Sequence, residues 1–144
     1  MITLTKIQSE LKAPKNQYNS FGKYNYRSAE DILEAIKPLL LKHDASMVTS
    51  DDIVEVGDRV YVKTTVSFKC KDGEAKSIGF AREPLSKKGM DEAQITGSSA
   101  SYSLKRALGH MFLIDDTKDP DSTNDHGQKS KPKTKASTKD EDLF

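Results

Sequence analysis

The residues best suited to chemistry are cations and aromatic rings placed close together. Tyr18, Phe21, Tyr24 and Tyr26 are interleaved with Lys15, Lys23 and Arg27. A single nucleic-acid strand needs cations for its phosphates and ring faces for its bases, and stacking contributes about 1 to 3 kcal/mol per base. Lys15, Lys23, Tyr24, Tyr26 and Arg27 are therefore candidate DNA contacts. Any one of these tyrosines can equally be a core or interface anchor whose hydroxyl reaches water. A second set comprises Arg59, Lys63 and Lys69, followed by Lys87 and Lys88 and then by Lys105 and Arg106. These predict an electrostatic groove between a strand face and a helix. Taken without further information, the pattern fits a solvated surface better, because charged strand faces are common.

Other chemistries find little support. The serines of Gly97-Ser-Ser-Ala-Ser101 lack the Gly-x-Ser-x-Gly elbow that exposes a nucleophile between strand and helix. The glycines match neither a phosphate-cradling loop nor a dinucleotide fingerprint, so no ATP, NAD or other cofactor is expected, nor an enzymatic activity. Asp115, Asp116, Asp119, Asp121 and Asp125 could hold a hard cation, yet they lack the glycine and closing glutamate of a calcium loop, and a helix-exit turn suits them better. His43, His110 and His126 stand far apart, and Cys70 is the only cysteine, so neither a metal site nor an internal disulfide is expected.

The elements that must position these residues follow from periodicity. Leu4, Ile7 and Leu11 recur at helical spacing behind a possible Thr5/Gln8 capping box, with Pro14 closing a short helix that would serve as a packing or subunit-contact arm. The aromatic-basic segment after it is rich in turn formers and reads as an ordered loop. Ser28 and Asp31 cap a second helix with Ile32, Leu33, Ile36, Leu39 and Leu40 on one side, and Pro38 should kink or end it. From Ala45 the period becomes strand-like, and Gly57-Asp58 and Lys71-Asp72-Gly73 divide the region into three strands.

The middle strand alternates most clearly. Val60, Val62, Val66, Phe68 and Cys70 point one way; Arg59, Tyr61, Lys63, Ser67 and Lys69 point the other. The third strand, about Lys76 to Arg82, carries Ile78 and Phe80 on a common side. A last helix from about Asp91 to Phe112 shows the stripe Ala93, Gly97, Ala100, Leu104, Ala107, Leu108 and Met111. The expected class is α+β: N-terminal helices, a three-stranded antiparallel meander and a long helix.

With 144 residues and 35% hydrophobic content, the chain can bury one modest core. Residues 1–114 are expected to form one domain. Residues 115–144, almost without apolar side chains, form a charged tail that cannot offset its own ordering entropy. The net charge of +1 is unevenly spread, with 17 Lys and Arg against 14 Asp and Glu in the first part and 6 against 8 in the tail. No signal peptide or membrane-spanning run is expected, because Lys6, Gln8, Ser9, Glu10 and Lys12 interrupt the start. The tail ends in Asp140, Glu141, Asp142, Leu143 and Phe144. This acidic, apolar-ended tip is similar to peptides that recruit replication or repair partners, although a merely solubilising tail explains it somewhat better.

Two segments carry a family resemblance. Phe21-Gly-Lys-Tyr-Asn-Tyr-Arg-Ser-Ala-Glu-Asp-Ile-Leu33, and Gly89-Met-Asp-Glu-Ala-Gln-Ile-Thr-Gly97 leading to Ser101-Tyr-Ser-Leu-Lys-Arg-Ala-Leu108, resemble the ERF family of phage essential recombination function proteins. The closing Ile114-Asp-Asp-Thr-Lys-Asp-Pro-Asp121 resembles it too, so the similarity spans about residues 5–121. Leu104-Lys-Arg-Ala-Leu108 also looks like a helix segment of eukaryotic single-strand annealing proteins in which paired basic residues face DNA.

The resemblance implies a β-β-β-α core, assembly into rings or filaments, and annealing of complementary single-stranded DNA without nucleotide hydrolysis, in a host bacterium's cytoplasm. It implies that Lys105 and Arg106 touch DNA, and it reverses the preference for a merely solvated basic face. Partners would include an exonuclease, a single-strand binding protein or replication proteins. Tyr102 would stack on a base or pack beneath the strand. Gln94, Gly97 and Ser101 would serve packing or subunit contact, or lie in the helix core. A non-annealing single-strand binder and a metal-dependent nuclease are the alternatives.

Overall fold

The computed structural model of the chain describes residues 1–85 and 89–114. Lys87, Lys88, the acidic run of residues 115–125 and the 140–144 tip all lie outside the described residues. The elements are α1 (Ile2–Glu10), β1 (Gln17–Asn19), β2 (Tyr24–Tyr26), α2 (Ala29–Lys42), β3 (Ser46–Val56), β4 (Arg59–Cys70), β5 (Gly73–Glu83) and α3 (Glu92–Phe112). This is the expected α+β meander followed by a long helix. Two compact units are present, one of Met1–Pro14 with Arg27–Ile114, the other containing Lys15–Tyr26.

In the first unit β3, β4 and β5 form an antiparallel sheet in that order. Both turns fall where the sequence places them. Gly57, at φ +63°, supplies the left-handed residue of the tight turn that pairs Val56 with Arg59. Lys71 and Asp72 close the second turn, across which Cys70 pairs with Gly73. The alternation of β4 is the predicted one: Val62, Thr64, Val66 and Phe68 are buried and the intervening side chains are not.

Helices cover that buried face. Ile7 of α1, Ile32 and Ile36 of α2, Val66 and Phe68 of β4, and Ala107, Leu108, Met111 and Phe112 of α3 make one core. Phe68 and Phe112 meet edge to face at 6.3 Å. Full burial of side chains this size contributes about 1.5 to 3 kcal/mol each.

The helix α3 lies directly on β4 and β5. At Gly79 a β-carbon would strike the Ser103 carbonyl oxygen and lie 2.6 Å from the Ala107 amide nitrogen, so only glycine allows this approach. The buried side of α3 is correspondingly Ile95, Ser99, Ser103, Ala107 and Met111, with Leu108 and Phe112. This corrects the stripe read through Ala93 and Gly97, both of which are exposed. Serines line the contact instead, because they are small and because the sheet satisfies their hydroxyls. Ser103 Oγ lies 2.5 Å from Thr64 Oγ1, which donates to Asp51 at 2.6 Å. Ser99 bonds the Arg82 carbonyl oxygen at 3.4 Å, and from the strand side Ser77 donates to the Ala107 carbonyl at 2.7 Å.

Three local expectations change. The helix α1 starts at Ile2, so Thr5 and Gln8 do not cap it; Thr5 bonds back to the Met1 carbonyl, and Gln8 Nε2 donates to the Met111 carbonyl at 2.8 Å, serving an end group of α3. The Ser28/Asp31 capping box is present in α2, with bonds of 3.1 and 2.8 Å, but the helix runs through Pro38 to Lys42. Pro38 is exposed, where water can reach the carbonyl its missing N–H leaves.

In the second unit the segment expected to be a loop is a two-stranded hairpin, with Asn19 paired to Tyr24 and Gln17 to Tyr26. Asn19 organises its turn by accepting from Gly22 N at 2.9 Å on its side chain and from Lys23 N at 2.7 Å on its carbonyl.

Candidate nucleic-acid interface

Cross-strand register determines what the uncovered face of the sheet presents. The β4 residues Arg59, Tyr61, Lys63, Thr65, Ser67 and Lys69 alternate with the core positions and point away from α3. Opposite them on β5 stand Arg82 (to Tyr61), Phe80 (to Lys63), Ile78 (to Thr65), Lys76 (to Ser67) and Glu74 (to Lys69). On β3 the same face carries Val56, Val54, Asp52, Ser50, Val48 and Ser46. Arg59, Lys63, Lys69, Lys76 and Arg82 thus share one surface with only two carboxylates, Asp52 and Glu74. An excess of cations on one face attracts phosphates and makes binding weaken with salt.

Lys76, Arg82 and Phe80 were not singled out as contacts from the sequence. The alternation of β5 was the available signal, because Ile78 and Phe80 share a side; that side is the open face, with Phe80 46% exposed, and not the core. Phe80 meets Tyr61 edge to face, ring centres 6.5 Å apart and planes at 89°.

The cations of α3 occupy the other side of the sheet. A single groove joining Arg59, Lys63 and Lys69 to Lys105 and Arg106 is therefore not formed, because α3 packs on the face of β4 opposite to the basic one. Lys105 and Arg106 also diverge from each other. Lys105 is half-buried, with Nζ donating to the Arg27 carbonyl at 3.1 Å and lying 5.9 Å from the centre of the Tyr102 ring. Arg106 is exposed and leaves the helix beside Gly79.

Arg27 is a correction. It is only 6% exposed, and its guanidinium donates to the Ala13 carbonyl at 3.0 Å, so it joins the segment after α1 to the start of α2 and is not a surface cation. Gln94 is the N3 partner of Asp91 in a capping box at the start of α3, with bonds of 3.0 and 2.8 Å. Gly97 and Ser101 are exposed, which removes them from the helix core.

Within the hairpin, Tyr24 and Tyr26 lie on one side with ring centres 6.0 Å apart, both half-buried, and the Tyr24 hydroxyl accepts from Asn19 Nδ2 at 3.0 Å. Lys23 is exposed at the turn and Lys15 half-buried at the base. Phe21, 98% exposed, is the ring most open to a ligand there. Among the described residues no helix is long and apolar enough to cross a membrane.

Comparison with known proteins agrees with the resemblance. The model of the ERF superfamily matches residues 2–143. The chain is 53% identical over 125 residues to the essential recombination function protein of Salmonella phage P22, an overlap covering 87% of this chain and 60% of that protein. The chain therefore spans about 60% of the length of the curated relative it matches. No solved structure matches significantly. A family match over residues 2–143, together with 53% identity over 125 residues to that phage protein, makes the protein a member of the ERF superfamily.

Proposed function

We propose that the protein binds single-stranded DNA across the open face of its sheet and anneals complementary strands during phage recombination, without nucleotide or metal. The observation that carries this reading is the uncovered face itself: Arg59, Lys63, Lys69, Lys76 and Arg82 against Asp52 and Glu74, around two aromatic rings. Membership of the ERF superfamily and the recombination function in the name of the phage P22 relative support the biological setting.

The mechanism is physical. Cations hold the phosphates, the strand is kept extended, and its base edges sample a second strand. One subunit carries few cations, so the reading includes a homo-oligomer in which the faces line up and modest charge is multiplied by valency. Arg106, Lys23 and Lys15 extend the same role to the helix and hairpin surfaces.

The test is the rate at which two complementary fluorescent oligonucleotides anneal with purified protein, without ATP or metal, across a salt series. Acceleration that fades with salt is expected. Binding without acceleration would reduce the protein to a protective single-strand binder, and neither effect would end the proposal.

A further inference from the structure

On the open face, Tyr61 stands opposite Arg82 and Lys63 opposite Phe80. The four form a square in which the two rings occupy one diagonal and the two cations the other. The rings touch across that diagonal at 89°, so the Tyr61 ring holds one flank of Phe80. Val54, opposite Tyr61 on the adjacent strand, extends the apolar centre. An exposed aromatic ring on the open face of an edge strand is costly to hydrate and gains nothing from the core on the other face. Its neighbours are cations, as a polyanion carrying flat apolar groups would require.

We infer that Phe80, braced by Tyr61, is a base-stacking platform that makes this face selective for unpaired nucleic-acid bases, with Lys63 and Arg82 holding the phosphates on either side. The inference rests on the reading of the open face as the strand-binding site and adds its specificity. Every base has a π-face, so the platform tolerates any sequence. A base inside a duplex is stacked on both sides and has no face to offer. The platform therefore holds single strands and loosens its hold once they have paired, which gives annealing a direction of release.

The test uses the full 144-residue chain and two oligonucleotides of equal length, one of thymidine and one abasic throughout. A backbone-only strand meets the same cations and offers nothing to stack. The native protein is expected to bind the thymidine strand on the order of tenfold more tightly than the abasic strand. Phe80→Leu should lose most of that preference and Phe80→Tyr should keep it. Because the sequence has no tryptophan, Phe80→Trp adds a single reporter whose fluorescence should be quenched by the thymidine strand and not by the abasic one.

Equal binding of both strands by the native protein, or an undiminished preference in Phe80→Leu, would overturn the platform and leave the cationic site standing. Undiminished binding by Lys63→Glu/Lys76→Glu would overturn the site, and the platform with it.

Discussion

Gly79 on β5 and Ser103 on α3 approach so closely that the strand has no room for a β-carbon beneath the helix backbone. Backbone cannot swing aside as a flexible side chain can, so Gly79→Ala must lift α3 from the sheet. Overpacking of this kind costs roughly 1 to 3 kcal/mol. Thermal unfolding should show a fall of several degrees in Tm, whereas alanine at the exposed, helical Gly97, which has open space around it, should raise stability slightly.

Thr64 and Ser103 are fully buried and share a hydroxyl contact that continues to Asp51. Thr64→Val keeps the shape and deletes the link. Ser103 retains the Ala100 carbonyl as an acceptor at 3.0 Å, so the loss is that of one hydrogen bond, about 1 kcal/mol. Denaturant midpoints measure it; combined with Asp51→Ala the loss should be less than additive.

Acid should release α1 before the rest of the fold. Its C-terminal end is tied by Glu10, which accepts from Lys42 at 3.2 Å and lies 3.0 Å from His43 Nε2. Its N-terminal end is tied by Asp72, whose carboxylate accepts from Thr3 N at 3.3 Å and from the Cys70 thiol at 2.8 Å. The His43 and Lys42 hydrogen bonds hold the Glu10 carboxyl below its ordinary range, and the Cys70 thiol and Thr3 hold Asp72 well below its own. A depressed folded-state pKa gives stability that is present above the ordinary carboxylate range of about pH 4 and is lost as pH falls through the lowered values. Hydrogen exchange of α1 amides should accelerate below about pH 4 ahead of the β4 amides. Glu10→Gln and Asp72→Asn should make α1 exchange faster at neutral pH and remove most of that acid dependence.

Lys105 and Arg106 should separate under mutation. Lys105→Ala removes a charged donor from the Arg27 carbonyl and should cost roughly 1 kcal/mol of stability. Arg106→Ala touches no such bond and should leave Tm unchanged while lowering the salt dependence of strand binding by about one counterion. Arg27→Met should destabilise more than either, because its buried guanidinium holds the Ala13 carbonyl.

The meander, its two turns, both faces of β4 and the length of α3 were legible because each rests on local rules: glycine at a left-handed turn, alternation of period two, and a polar cap before an apolar run. The buried side of α3 was not. A reading by hydrophobicity places Ser99 and Ser103 outside, yet close approach to Gly79 demands small side chains and the sheet supplies partners for their hydroxyls. The hairpin at Gln17–Asn19 and Tyr24–Tyr26 was missed because three-residue strands leave too few positions for a period. For the candidate site, the basic residues of β4 were legible by alternation. Phe80 was not, since an aromatic two residues after Ile78 looks like core until the side occupied by α3 is known, and Arg27 looked like a surface cation because burial of a guanidinium depends on a carbonyl 14 residues away along the chain.

The strict alternation of β4 also bears on how such a protein can evolve. Even-numbered positions from Val62 to Phe68 answer to folding, and odd-numbered ones from Arg59 to Lys69 answer to whatever lies on the open face. Neighbouring positions thus meet different physical demands. Side chains on the open face can therefore be exchanged one position at a time while the register, the turns and the contact with α3 stay as they are.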